Sequence, residues 1–70
     1  MKFSARNQLK GKVVKVEEGA VNGVVTIELP GGQQVVSSIT MSSIKNLGLE
    51  VGKEAYAIVK ATSVMVGVDE

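Results

Sequence analysis

Apolar residues recur along this chain at a spacing of two, in short runs broken by glycine, and Val, Ile and Thr dominate those runs. β-Branched side chains fit a pleated, half-buried surface, so the pattern predicts strands rather than helices. Leu9–Val16 reads as a first strand, and Glu17–Gly23, with Gly19, Asn22 and Gly23, as the turn after it. A second strand follows over Gly23–Leu29, with Val25, Ile27 and Leu29 on one face. Pro30-Gly31-Gly32 is the strongest turn signal and leads into a third strand, Gln33–Ile39, so these two strands should form a hairpin. One short helix interrupts the alternation: Thr40 suits an N-cap, Ile44 and Leu47 lie three apart on one face, and Gly48 is a helix stop. Val51-Gly52-Lys53 turns the chain into a fourth strand, Glu54–Lys60, and Ala61–Ser63 connects it to a fifth, Val64–Val68.

The expected fold class is therefore all-β: a small five-stranded OB-like barrel with one short helix between strands 3 and 4. Residues 1–70 read as a single domain, without an internal repeat or linker. Several strands are apolar on both faces. Val24 adjoins Val25, Val35 adjoins Val36, and Ala55, Ala57 and Val59 alternate with Tyr56 and Ile58. A strand with one solvated face alternates more cleanly with polar residues. A chain of 70 residues buries only about 60% of the surface its unfolded form exposes and has no second layer to offer. Association with copies of itself is the economical cover for those faces.

Composition narrows the means of support. The chain has no Cys and no His, which excludes disulfides, thiolate metal sites and the commonest ligand of zinc, copper and nickel. The lack of Cys fits a cytoplasmic protein. The start, MKFSARNQLKGKVVKV, lacks the apolar stretch of a signal peptide, and no run approaches the length of a membrane span. Charge is uneven although nearly balanced. Lys2, Arg6, Lys10, Lys12 and Lys15 precede every acidic residue, and the rest of the chain is weakly acidic. Such a basic arm attracts anions, while a solvated strand face explains it equally well.

Catalysis finds little footing. The commonest general acid–base residue is absent, and Ser–Lys chemistry rests on Ser37, Ser38, Ser42, Ser43 or Ser63 with Lys45 or Lys60, without a Gly-x-Ser-x-Gly elbow. No phosphate-cradling glycine loop is present. An OB-like interaction module for single-stranded nucleic acid or a protein partner is the alternative reading. Single-strand binders stack bases on aromatic residues in a basic groove, and Phe3 and Tyr56 are the only aromatics here. A small oxyanion suits the inventory better, because it is bound by backbone N–H groups, hydroxyls and a Lys or Arg. Ser4-Ala5-Arg6-Asn7 and Lys60-Ala61-Thr62-Ser63 each offer these together, and Thr40, Ser42 and Ser43 open the helix. Helix capping is the ordinary explanation for the last group, and surface charge for Arg6 and Lys60.

The segments S-A-R-N-Q-L at 4–9, G-A-V-N-G-V-V at 19–25, I-T-M-S-S-I at 39–44 and A-I-V-K-A-T-S-V-M-V at 57–66 occur in an order that resembles the molbindins. These are the single-domain members of the transport-associated OB family that bind molybdate and tungstate. The resemblance covers nearly the whole chain, with S-A-R-N and V-K-A-T its most specific parts. It implies a non-enzymatic storage or homeostasis protein with molybdate or tungstate as ligand, no further cofactor and no direct protein–metal bond. It also implies a homohexamer, a trimer of dimers, with anion sites between subunits. By position, Ser4, Ala5, Arg6, Asn7, Lys60, Ala61 and Thr62 would serve one kind of site, with Thr40 and Ser43 from the helix entrance. Gly19, Ala20, Val21 and Asn22 would supply backbone donors to a second kind.

Overall fold

A computed structural model describes residues 4–69 of the chain. Its elements are β1 (Asn7–Glu17), β2 (Asn22–Glu28), β3 (Gln34–Thr40), α1 (Met41–Leu47) and β4 (Glu54–Val59), followed by one 3-10 turn, Ala61–Ser63. The four strands form one antiparallel sheet in the order β3-β2-β1-β4. The expected β2–β3 hairpin is present. Its turn is closed by Leu29 N–H to Gln33 carbonyl (2.7 Å) and Gly32 N–H to Leu29 carbonyl (3.0 Å). Gly31 and Gly32 sit there at φ 99° and 92°, where a Cβ would be strained.

β1 pairs with both β2 and β4 and has to curl to do so. Its register on β2 slips between Val13 and Lys15, a bulge that bends the strand. At Gly11 the strands pass so closely that a Cβ would lie 2.5 Å from the Glu28 carbonyl oxygen and 2.7 Å from Ile27 Cγ2. The concave face carries the core, Val13, Val25, Ile27, Ala57 and Ile44 of α1. The helix docks over Gly23, where an added Cβ would meet Ile44 Cδ1 at 2.6 Å and Met41 Sδ at 2.9 Å. Thr40 is its N-cap, as its position before the apolar pair suggests, and Gly48 ends it in the left-handed region at φ 62°. The Lys53 ammonium then caps the exposed carbonyls of Leu47 (2.7 Å) and Gly48 (3.2 Å).

The all-β class and the single short helix stand, but the fifth strand does not. Val64–Val68 joins no ladder among the described residues, and Met65, Val66 and Val68 are 93%, 88% and 86% exposed. The 3-10 turn at Ala61–Ser63 follows β4 directly and leaves the chain in extended backbone at Val64, without a neighbouring ladder among the described residues. Extended backbone becomes a strand only where another edge satisfies it. Among the described residues β3 and β4 are therefore the edges of the sheet. They flank an open apolar groove of about 450 Å³ lined by Ile27, Ile39, Leu47, Leu49, Ala55 and Ile58, among others. The two-faced apolar strands leave the trace expected of them: Val36, Tyr56 and Ile58 are 66%, 43% and 41% exposed.

Candidate oxyanion site

Two segments singled out in the sequence are neighbours in space. The ladder between β1 and β4 runs from Lys12 opposite Glu54 to Asn7 opposite Val59. Ser4–Asn7 therefore enters the sheet at the end where Lys60–Ser63 leaves it. The Asn7 amide reinforces this last rung, with Nδ2 donating to the Val59 carbonyl at 3.2 Å. On the arm before it, Gln8 Nε2 donates to the Ala5 carbonyl at 3.4 Å.

Beyond the rung the backbone turns donors outward. Ser63 N–H bonds the Lys60 carbonyl (2.8 Å) and Val64 N–H bonds the Ala61 carbonyl (3.3 Å). Among the described residues, the N–H groups of Lys60, Ala61 and Thr62 find no backbone acceptor, as expected for the first residues of a helical turn. Arg6 and Lys60 are exposed, and neither is paired with a carboxylate among the described residues. Ser4 and Thr62 add exposed hydroxyls, while Ala5 is half-buried. Backbone donors, hydroxyls and two unneutralised cations form a set that suits a small, fully deprotonated anion.

The second group gathers at the far end of β1. Asn22 lies opposite Thr40 in the β2–β3 ladder, and Met41 N–H donates to the Val21 carbonyl at 2.8 Å. The Gly19–Asn22 turn is thus fastened to the helix start. Gly19 has no alternative there, because a Cβ would lie 2.2 Å from the Asn22 carbonyl oxygen. Thr40 Oγ1 accepts the Ser43 N–H (3.1 Å) and donates to Ser43 Oγ (2.9 Å). Thr40 therefore has its hydrogen committed to the cap, and the spare hydroxyl hydrogen belongs to Ser43.

Distance separates the two groups within one chain. Ten steps along β1, at about 3.3 Å each, put the Asn7 and Glu17 ends up to roughly 33 Å apart. Thr40 and Lys60 consequently do not meet on a single copy. The basic residues between the ends are otherwise engaged. Lys10 Nζ lies 3.5 Å from Glu54, and Lys15 Nζ lies 2.9 Å from Glu17 Oε1. That hydrogen bond, helped by the carboxylate charge, raises the Lys15 pKa above its ordinary value.

Other chemistry gains no support from the geometry. Contrary to the expectation that no serine and lysine stand at an S-x-x-K spacing, Ser42 and Lys45 do, but both are exposed on α1 and no hydrogen bond joins them among the described residues. Among the described residues, no group of three or more acidic side chains could hold a metal ion. Among the described residues no helix is long and apolar enough to cross a membrane.

Known proteins resemble this chain in sequence and fold. The TOBE domain family matches residues 4–66. A probable molybdenum-pterin-binding protein of Haemophilus influenzae is 62% identical over 69 residues, covering 99% of this chain and all of that protein. Among solved structures, a molybdate-binding protein from Sporomusa ovata superposes with a TM-score of 0.91 at 34% identity, over 97% of this chain and all of the other. The cytoplasmic molybdate-binding protein ModG, in a form with molybdate bound, gives a TM-score of 0.93 at 43% identity, over 99% of this chain and 49% of the larger one.

Proposed function

Because the chain belongs to the TOBE domain family, which spans residues 4–66, we propose that it binds molybdate or tungstate and holds these anions in the cytoplasm without transforming them. The observation that carries this reading is the last rung of the β1–β4 ladder. Arg6 and Lys60, both without a carboxylate partner among the described residues, directly flank this rung in the chain, and the N–H groups of Lys60, Ala61 and Thr62 after it lack backbone acceptors there, which supports an anion at this end of the sheet. Relatives of similar length are named for molybdenum-pterin or molybdate binding, and ModG is described as cytoplasmic.

In this mechanism the N–H and hydroxyl donors replace the hydration shell of the dianion. Arg6 and Lys60 offset its charge through charge-assisted hydrogen bonds. The anion keeps all its oxygens, and its metal atom makes no bond to the protein. Thr40 and Ser43, from the helix entrance of a neighbouring copy, join Arg6 and Lys60 at the first kind of site, and the Gly19–Asn22 turn supplies backbone donors to the second.

The reading extends to assembly: a homohexamer arranged as a trimer of dimers, with the sites at its seams. Three observations support it. The two donor groups lie at opposite ends of β1, so a site using both draws on two copies. β3 and β4 leave an apolar groove open between two free edges. The apolar tail Val64–Val68 pairs with no strand among the described residues, and a neighbour's groove offers both backbone donors and apolar cover.

Metal analysis of protein purified from a molybdate-supplemented culture, paired with native mass spectrometry, tests both halves. Molybdenum bound to a hexamer is the expected result. Metal-free protein overturns the ligand, and a dominant monomer overturns the seam.

A further inference from the structure

We propose that Asn7 is a positioning residue: through its bond to the Val59 carbonyl it holds the Lys60–Thr62 donors in place for the anion, and it does not touch the anion itself. This inference rests on the function proposed above, yet its geometry stands apart from it. Asn7 and Val59 form the last rung of the β1–β4 ladder, after which both chains splay away from the sheet. Strand ends fray unless something holds them, because local opening costs least where few contacts oppose it.

At this rung the side chain supplies the tie. Asn7 Nδ2 reaches the Val59 carbonyl at 3.2 Å from a half-buried position. Val59 directly precedes Lys60, whose backbone (φ −64°, ψ 133°) caps the turn that presents the donors. Among the described residues that turn has no side-chain hydrogen bond at its own N-cap. The clamp one residue earlier is therefore the nearest side-chain restraint on its direction.

The chemistry of the amide argues for the same division of labour. An amide offers two N–H donors and one acceptor oxygen. One donor is committed to Val59, and the oxygen repels a molybdate oxygen. Arg6, one residue earlier, is exposed and carries no such commitment. The clamp thus fixes the frame from which Arg6 and Lys60 reach. Donors held in advance bind more tightly because less ordering remains to be done on binding.

The full-length chain with Asn7→Ala, and separately Asn7→Leu, which keeps the bulk without the donor, tests this. Two measurements are made: titration calorimetry with sodium molybdate, and amide hydrogen exchange in anion-free protein. Loss of one neutral hydrogen bond should weaken molybdate binding roughly threefold to tenfold. In anion-free protein, exchange at Ser63 and Val64, whose N–H groups close the turn on the Lys60 and Ala61 carbonyls, should accelerate while the core amides of Val25 and Ile27 keep their rates. Weaker binding with unchanged anion-free exchange would mean that Asn7 contacts the anion, and overturns the proposal. Unchanged binding overturns it as well, and so does exchange that accelerates throughout the sheet. If the unmodified protein itself binds no molybdate, the function proposed above fails. Exchange at Ser63 and Val64 in the two variants then decides the clamp by itself, acceleration supporting it and an unchanged rate refuting it.

Discussion

Replacing Gly11 with Ala should unfold this protein more readily than any other single added methyl in the sheet. The added Cβ would stand 2.5 Å from the Glu28 carbonyl oxygen and 3.1 Å from its carbon, both backbone atoms, and 2.7 Å from Ile27 Cγ2. Backbone can yield only by separating β1 from β2, at the place where β1 curls to reach β4. Overpacking of this kind costs about 1–3 kcal/mol. The alanine returns about 0.4–1 kcal/mol by restricting the unfolded chain. At mid-range the net loss is about 1.3 kcal/mol, which for a domain of this size lowers Tm by about 5–10 °C. Gly23→Ala provides the graded comparison. Two of its three neighbours, Ile44 Cδ1 and Met41 Sδ, are ends of flexible side chains, and only the Glu17 carbonyl at 2.9 Å is backbone. Its loss should be smaller. Thermal melts of both variants at one protein concentration, with and without molybdate, measure the order. A Gly11→Ala variant as stable as the parent, or less affected than Gly23→Ala, would refute the close-approach argument.

Arg6→Ala and Lys60→Ala should each weaken molybdate binding by about 1.5–3 kcal/mol, the worth of a charge-assisted bond, when measured by calorimetry. Lys12→Ala and Lys15→Ala should change it little, because distant exposed charges are screened and Lys15 already serves Glu17; equal losses in all four variants would replace a defined site with a diffuse field. Thermal shifts at matched anion concentration should be large and similar for molybdate and tungstate, small for sulfate and least for phosphate. Phosphate keeps a proton at neutral pH, and a donor-only site leaves it unpaired at a cost of about 1–3 kcal/mol, so a phosphate shift equal to that of molybdate would defeat the donor-only description. Truncation after Ser63 should shift native mass spectra from the hexamer toward smaller species, and an unchanged hexamer would remove the tail from the interface.

Local chemistry was the legible part of the fold. Pro30-Gly31-Gly32 announces its turn because positive φ needs glycine, and both glycines adopt it. Thr40 and Gly48 bound the helix by the ordinary rules of capping. The site was legible to the extent that it is contiguous: S-A-R-N and V-K-A-T are short segments rich in donors, and strand pairing alone brings them together. Two things were not legible. Asn7 reads in the sequence as one more donor, and only the register opposite Val59 reveals the bond that occupies it. Val64–Val68 has the composition of a strand, but composition specifies an extended conformation and not the edge that receives it. The partner edge is a long-range fact, absent from any window of the sequence.

The misplaced fifth strand and the divided site have a common physical origin. A sheet of four strands curled by a bulge at Val13–Lys15 and a close pass at Gly11 encloses a small core and leaves its edges apart. Closing the gap from within would require the tail to reverse at Ala61–Ser63, but the 3-10 turn there continues outward and exposes its first N–H groups. The feature that denies the chain its own fifth strand is thus the one that frees donors for an anion. A tail folded back along β4 would carry Lys60–Thr62 into a hairpin, whose ladder would consume the same N–H groups. An anion site and a closed monomer therefore compete for one set of backbone donors. In the proposed assembly, association between copies would resolve that competition, because a neighbour can cover the apolar groove without drawing on the Lys60–Thr62 turn.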